Sequence, residues 1–222
     1  MNPADNRCNL PRGYLEETLA NLSDRQRRRF LEGQWFDDSG DGLWKQSDID
    51  RARVSAPPAE LRRIVIGVDP AVTGHCDSDR TGIVAAALGH DGDYYVLDDA
   101  SCRETPLGWA RRAVDCCRRF QADRIVGEIN QGGDLIEMAL RTVAPEIPFK
   151  AVRASRGKLL RAEPAAALYE QGRVHHVGYF PELEDELCGY RPGAASPDRM
   201  DALVWALTEL MNHRGGSRII PA

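Results

Sequence analysis

The 222-residue chain contains no run approaching the roughly 20 consecutive apolar residues of a membrane-spanning helix. Met1 to Leu10 is polar and lacks the apolar stretch of a secretory signal. Both absences are read as a soluble, intracellular protein with no membrane partner. None of the six cysteines (Cys8, Cys76, Cys102, Cys116, Cys117 and Cys188) forms a Cys-x-x-Cys pair. Adjacent Cys116 and Cys117 would point about 100° apart on a helix, which argues against a zinc site. An excess of positive charge is also missing: the formal net charge is −5. That weighs against a nucleic-acid coat protein. It does not exclude a nuclease, whose acids gather at the site while local Arg and Lys clusters bind the substrate. There is no internal repeat and no long low-complexity tract.

What is present suffices for an ordinary core, with 42% hydrophobic residues and length for one or two domains. Residues 1–60 differ in texture from the rest. Tyr14 to Gly33 reads as a helix or broken helix pair, with Ser23-Asp24 as an N-terminal cap and Gly33 as a stop. Arg25, Arg27, Arg28 and Arg29 form a basic cluster, either a solvated face or a DNA contact. Trp35, Phe36 and Trp44 flank the Gly/Asp-rich loop Asp37 to Gly42 and suggest docking onto a neighbouring domain. Val54 to Ala59, with Pro57-Pro58, reads as a linker. The expected division is a helical connector over 1–60, a main domain over 61–215 and a tail over 216–222.

From Arg62 the pattern is dense. Strands are expected at Arg63 to Val68, Thr81 to Leu88 and Tyr94 to Asp98, with Asp91-Gly92 as a hairpin turn. Pro106 opens a helix to about Phe120, whose apolar positions recur at helical spacing. Then come a strand at Arg124 to Gly127, a helix at Gly133 to Val143 and a strand at Phe149 to Val152. A helix over Gly157 to Gln171, a short strand at Arg173 to His176, a polar helix at Pro181 to Cys188 and a last helix at Pro197 to Asn212 complete the chain. This order gives an α/β fold: an antiparallel meander extended by parallel strands into a mixed sheet, with helices on both faces.

Ile64-Val65-Ile66-Gly67-Val68-Asp69-Pro70 is the stretch around which the rest is organised. It is a buried strand that ends in a carboxylate, followed by a proline that cannot extend it. A buried acid costs stability unless a metal or a proton offsets its charge. Arg124-Ile125-Val126-Gly127-Glu128 repeats the pattern, and parallel strands open their ends onto one crevice. Asp201 lies on the last helix, three residues after Asp198, which either shares its face or caps the helix. Three acids from separate elements make a site for hard divalent cations. Two such ions support phosphodiester hydrolysis. Lys158 could neutralise a phosphate or orient water, with Arg153, Arg156 and Arg161 as phosphate contacts. Asp79 is a further acid, either a supporting ligand or a turn residue. His75, His175 and His176 are better explained as structural, and Trp109 and Trp205 as core.

These residues together resemble a family. Gly67-Val68-Asp69-Pro70-Ala71, Asp79-Arg80-Thr81-Gly82-Ile83-Val84 and Val126-Gly127-Glu128-Ile129-Asn130-Gln131-Gly132-Gly133 are similar to the C-terminal nuclease domain of tailed-bacteriophage large terminase subunits, which has a ribonuclease H-like fold. Arg156-Gly157-Lys158, Arg161-Ala162-Glu163-Pro164, Gly172 to His176 and Pro197-Asp198-Arg199-Met200-Asp201-Ala202-Leu203 extend the likeness. Arg29 to Trp35 and Leu43-Trp44 resemble the connector to that family's ATPase domain. The resemblance implies a metal-dependent endonuclease cutting concatemeric double-stranded viral DNA during genome packaging, in the host cell cytoplasm. It implies Asp69, Glu128 and Asp201 as the acidic triad, Lys158 and Asp79 in support, and two Mg²⁺ or Mn²⁺ ions with Asp69 between them. Implied partners are double-stranded DNA, the ATPase domain, the portal protein and the small terminase subunit.

The ATPase half of that family needs a Gly-rich phosphate loop. Ser155-Arg156-Gly157-Lys158-Leu159 lacks the hydroxyl after the lysine and the preceding glycine spacing. No ATPase is therefore expected here; the chain would be one domain of a longer protein or act beside a separate translocase. Three alternatives stand beside this reading: a resolvase-type ribonuclease H-like nuclease, a sugar-kinase or actin-like nucleotide-binding fold, and a non-catalytic DNA-packaging docking module. The connector argues against the first. The second needs another similar half, and the third leaves clustered acids unexplained.

Overall fold

The computed structural model describes residues 42–70, 80–129, 134–153, 158–191 and 197–212, with the backbone alone at 134, 158 and 159. Helix α1 (Gln46–Ala52) leads into β1 (Leu61–Asp69), β2 (Gly82–Gly89) and β3 (Tyr94–Asp99). Then follow α2 (Pro106–Arg119), β4 (Arg124–Glu128), α3 (Asp134–Val143), β5 (Phe149–Val152), α4 (Lys158–Glu170), β6 (Val174–His176), α5 (Pro181–Gly189) and α6 (Asp198–Asn212).

The six strands form one mixed sheet in the order β5-β4-β1-β2-β3-β6. β1, β2 and β3 pair antiparallel. β4 joins β1, β5 joins β4 and β6 joins β3 in parallel. This is the expected meander with parallel additions at both ends. Local chemistry accounts for its turns and helix ends. At the β2–β3 hairpin Gly92 takes φ 88°, a conformation that only glycine adopts at no steric cost. The Asp91 carboxylate there accepts hydrogen bonds from the Asp93 amide at 3.0 Å and the Tyr95 hydroxyl at 2.6 Å. Thr105 caps α2 by accepting from the Gly108 amide, Pro106 occupies the first turn, and Arg118 and Arg119 sit in the last turn, where the helix dipole favours cations.

Side-chain alternation divides the core into two layers. On one face, Val65, Val84, Ala86, Val126 and Leu88 pack with α4, α5 and α6 through Ala165, Leu187, Met200, Leu203 and Leu207. On the other, Ile66, Val68, Ile83, Ala85 and Ile125 pack with α2 and α3 through Trp109, Ala113, Ile136 and Leu140. β2 is buried along its whole length. Its small residues let helices approach both faces.

The N-terminal segment is part of this architecture from Gly42 onward. Trp44 and Ile49 are buried in the same layer as α4 and α5, with Trp44 edge-on to Tyr169 and Tyr190. The start of the expected linker is paired too. The Val54 amide donates to the His176 carbonyl and Gly178 donates back to Val54. The helix expected to be polar, α5, buries Leu183, Glu184, Leu187 and Cys188. Four acids, Glu182, Glu184, Asp185 and Glu186, make its sequence read as polar, and of these Glu184 is fully buried. This carboxylate accepts from Arg53 at 2.7 and 3.0 Å and bonds His176 Nδ1 at 3.0 Å, while His176 Nε2 bonds the Tyr169 hydroxyl at 2.8 Å. Arg53 and Glu184 thus tie the segment before β1 to α5. His175 contacts the Ala52 carbonyl and stacks on Tyr95, the structural role expected of both adjacent histidines. Among the described residues no helix is long and apolar enough to cross a membrane. Arg25 to Arg29, Trp35, Phe36 and His75 lie outside the described residues.

Candidate active site

Asp69 and Glu128 end neighbouring parallel strands. The last paired positions are Val68 and Gly127, so each acid is the next residue on its strand, and adjacent strands run about 4.8 Å apart. Both acids face α6. Gly67 faces Ala202, and Asp69 follows two residues later on the same side. Glu128 meets α6 directly through Trp205.

Two glycines bring α6 onto the sheet. A Cβ on Gly82, which pairs with Asp69, would stand 2.9 Å from the Arg199 amide nitrogen. A Cβ on Gly67 would stand 2.9 Å from the Ala202 carbonyl carbon and 3.2 Å from the Ala206 Cβ. With no side chains in the way, the turn bearing Asp198 and Asp201 lies across the last residues of β1. Asp201 is 3% exposed and Glu128 7%, while Asp69 and Asp198 are half-buried. Asp198 is the first residue of α6, and the Asp201 amide donates to the Pro197 carbonyl.

The start of α6 is fixed by charge. Arg199, 3% exposed, donates to Asp99 at 2.7 Å and to Glu186 at 3.0 Å, and also pairs with Glu182. Its own amide donates to the other oxygen of Glu186 at 3.0 Å. Burial alone would lower the Arg199 pKa, and Asp99 and Glu186 raise it instead. The same burial pushes the Glu186 carboxyl up against the pull of Arg199.

Glu128 is held as firmly. Its Oε2 accepts from Arg161 Nη1 at 3.0 Å and from Trp205 Nε1 at 3.1 Å, and the Arg161 guanidinium lies 4.3 Å from the centre of the Trp205 ring. Arg161, expected as a phosphate contact, is only 9% exposed and points inward to this carboxylate. The indole of Trp205 is core, as expected, and also a hydrogen-bond donor to the site, which a helical apolar spacing gives no means of seeing. Arg153 is exposed immediately after β5, beside β4. Lys158 opens α4; its side chain, Asp79 and Arg156 lie outside the described residues.

Among the described residues no three His, Cys, Asp or Glu side chains stand as a ready metal-binding cluster. The donor set still suits a hard divalent cation: three carboxylates with only oxygen donors. The partner of Glu128 is a fixed positive charge, the kind of neighbour that a buried carboxylate needs where no cation is bound.

A mixed sheet of this order, with a helix laid across the ends of its central strands, defines a ribonuclease H-like domain. The chain belongs to the terminase ribonuclease H-like domain family, whose model matches residues 66–210. No curated protein matches it. Among solved structures it is similar to the large terminase nuclease of thermophilic phage G20c, at 16% identity and TM-score 0.57, over 77% of this chain and 99% of that one. The same nuclease with bound cobalt matches at 15% identity and TM-score 0.56, over 77% and 98%. The large terminase of a second thermophilic bacteriophage, in complex with ADP, matches at 14% identity and TM-score 0.57; there 95% of this chain covers 54% of the longer one.

Proposed function

We propose that the chain is a metal-dependent endonuclease that cuts concatemeric double-stranded DNA during viral genome packaging. The observation that carries this reading is the placement of Asp69 and Glu128 on adjacent strand ends beneath the α6 turn that bears Asp201. Family membership and the cobalt-bound relative support it. Asp69, Glu128 and Asp201 would hold Mg²⁺ or Mn²⁺, two ions in all, with Asp79 as a further ligand. Bound there, the ions would supply an activated water and stabilise the leaving oxygen of the phosphodiester.

The chain's own residues do the rest. Asp198 and Arg199 set the first turn of α6 so that Asp201 stays over β1. Arg153, exposed beside the site, and Arg156 meet backbone phosphates, and Lys158 at the start of α4 neutralises the phosphate under attack. Affinity then comes mostly from backbone charge, so binding weakens steeply with salt and sequence preference is slight. In this reading the chain acts in the host cytoplasm with an ATPase domain, a portal protein and a small terminase subunit, and carries no ATPase of its own.

Plasmid cleavage with Mg²⁺, Mn²⁺ or EDTA tests the proposal, alongside Asp69→Ala and Asp201→Ala. Metal-dependent nicking or linearisation, lost in both variants with unchanged circular dichroism, is the expected result. Equal cleavage by wild type and both variants would remove these acids from the mechanism.

A further inference from the structure

Arg161 and Trp205 have no part in the cleavage scheme above, yet both bind the same oxygen of one of its acids. The three side chains come from α4, α6 and β4 and are 9%, 5% and 7% exposed. The stack on Trp205 fixes the guanidinium in place. Arg161 Nε is buried with no hydrogen-bond partner among the described residues. The side chain therefore spends a donor to stay where it can serve Glu128.

A buried carboxylate that stays ionised needs a counter-charge. In the metal-free protein Arg161 provides it. A divalent cation on Glu128 would bring a second positive charge against the same group, and two fixed cations this close repel one another. The geometry points to Arg161 as the resident counter-ion of the metal site: it holds Glu128 in place while no cation is bound, and competes with the cation for its carboxylate. Trp205, through its Nε1–H, keeps Glu128 Oε2 turned toward α6. Both are positioning residues. The inference rests on Glu128 being a metal ligand.

Thermal unfolding and calorimetric titration with Mg²⁺ test this without reference to cleavage. They are applied to wild type, Arg161→Gln, Arg161→Lys, Trp205→Phe and Asp69→Asn. Arg161→Gln melts below wild type in EDTA, is stabilised by Mg²⁺ more than wild type, and binds it roughly tenfold more tightly because the competing charge is gone. Arg161→Lys keeps the charge and the wild-type Mg²⁺ response. Trp205→Phe loses a hydrogen bond that orients Glu128 and binds Mg²⁺ roughly tenfold more weakly. Mg²⁺ also changes the tryptophan emission of wild type, and that change is absent from Trp205→Phe.

A melting point lowered in Arg161→Gln with an unchanged Mg²⁺ increment and affinity would make Arg161 merely structural and overturn the inference. If Arg161→Gln does not fold, emission decides: a Mg²⁺ response identical in wild type and Trp205→Phe overturns the inference. Mg²⁺ binding that is absent from wild type, or unaffected by Asp69→Asn, sinks the metal-site reading itself, and this inference with it.

Discussion

Gly67 and the carbonyl of Ala202 are in contact across the interface between β1 and α6, and no side chain fits between them. The obstruction to a Cβ at Gly67 is helix backbone, which cannot swing aside as a flexible side chain would. Gly67→Ala therefore forces α6 off the sheet. Overpacking of this kind costs about 3 kcal/mol, which shows as a lower urea midpoint. If Asp201 holds a catalytic metal as proposed, cleavage should fall further than stability does, because the same turn carries it. Full activity in a folded Gly67→Ala protein would show that α6 is not held as close as this.

Arg199 answers three carboxylates: Asp99, Glu182 and Glu186. Glu182 is exposed and Glu186 keeps Arg80, so the loss falls mainly on the nearly buried Asp99, at a cost of about 3 kcal/mol. Arg199→Met is expected to unfold at lower urea and to exchange amide hydrogens faster over 198–204 than elsewhere. Uniformly faster exchange would place the damage in the whole fold instead.

Acid should lower the stability of the fold in two pH windows. Burial lowers the His176 pKa from 6.5, against the pull of Glu184. A depressed histidine stabilises the fold above its unfolded pKa, and that stability is lost as pH falls below about 6.5. For Glu184 burial acts upward, but hydrogen bonds from His176 and Arg53 prevail and bring it from 4.5 to about 2. Its contribution, roughly 3 kcal/mol, is complete above the unfolded value and is lost between pH 4.5 and about 2. Melting temperature followed from pH 8 to 3 should decline in both windows. Glu184→Gln should be less stable at pH 7 and lack the lower step.

Burial pushes the Cys116 thiol up to about 12 and Cys117 up to about 11. Thiolate is the reactive form, so both should resist alkylation at pH 8 in the native state and react on denaturation. Mass spectrometry after a pulse of iodoacetamide measures this. Rapid native labelling of either cysteine would show that the α2 face opens.

Much of this fold can be read in the sequence, because strands such as Ile64 to Val68 and Arg124 to Gly127 are short apolar runs with clear ends. The spacing of Leu107, Ala110 and Val114 marks α2 equally plainly, although Leu107 itself stays exposed. The strand-end positions of Asp69 and Glu128 follow from local pattern alone. What escapes is set by tertiary contact. Its four acids make α5 look like a surface helix, yet Glu184 among them is buried because Arg53 arrives from distant sequence and His176 from the neighbouring strand β6. Arg161 near the start of α4 reads as a phosphate ligand, and only the fold shows Glu128 and Trp205 waiting for it. Trp205 has the spacing of core and does fill the core, so nothing in that spacing reveals the direction of its N–H. Val54 looks like linker because its partner, Val177, is more than a hundred residues away.

β1 stands third among six strands, with two neighbours on one side and three on the other. Thermal fraying begins at the rims of a sheet, here β5 and, beyond β6, the short Val54–Val177 bridge. The strand that delivers Asp69 is sheltered from those excursions. Opening it costs more free energy than opening the periphery, so its amides are expected to be among the last in the sheet to exchange.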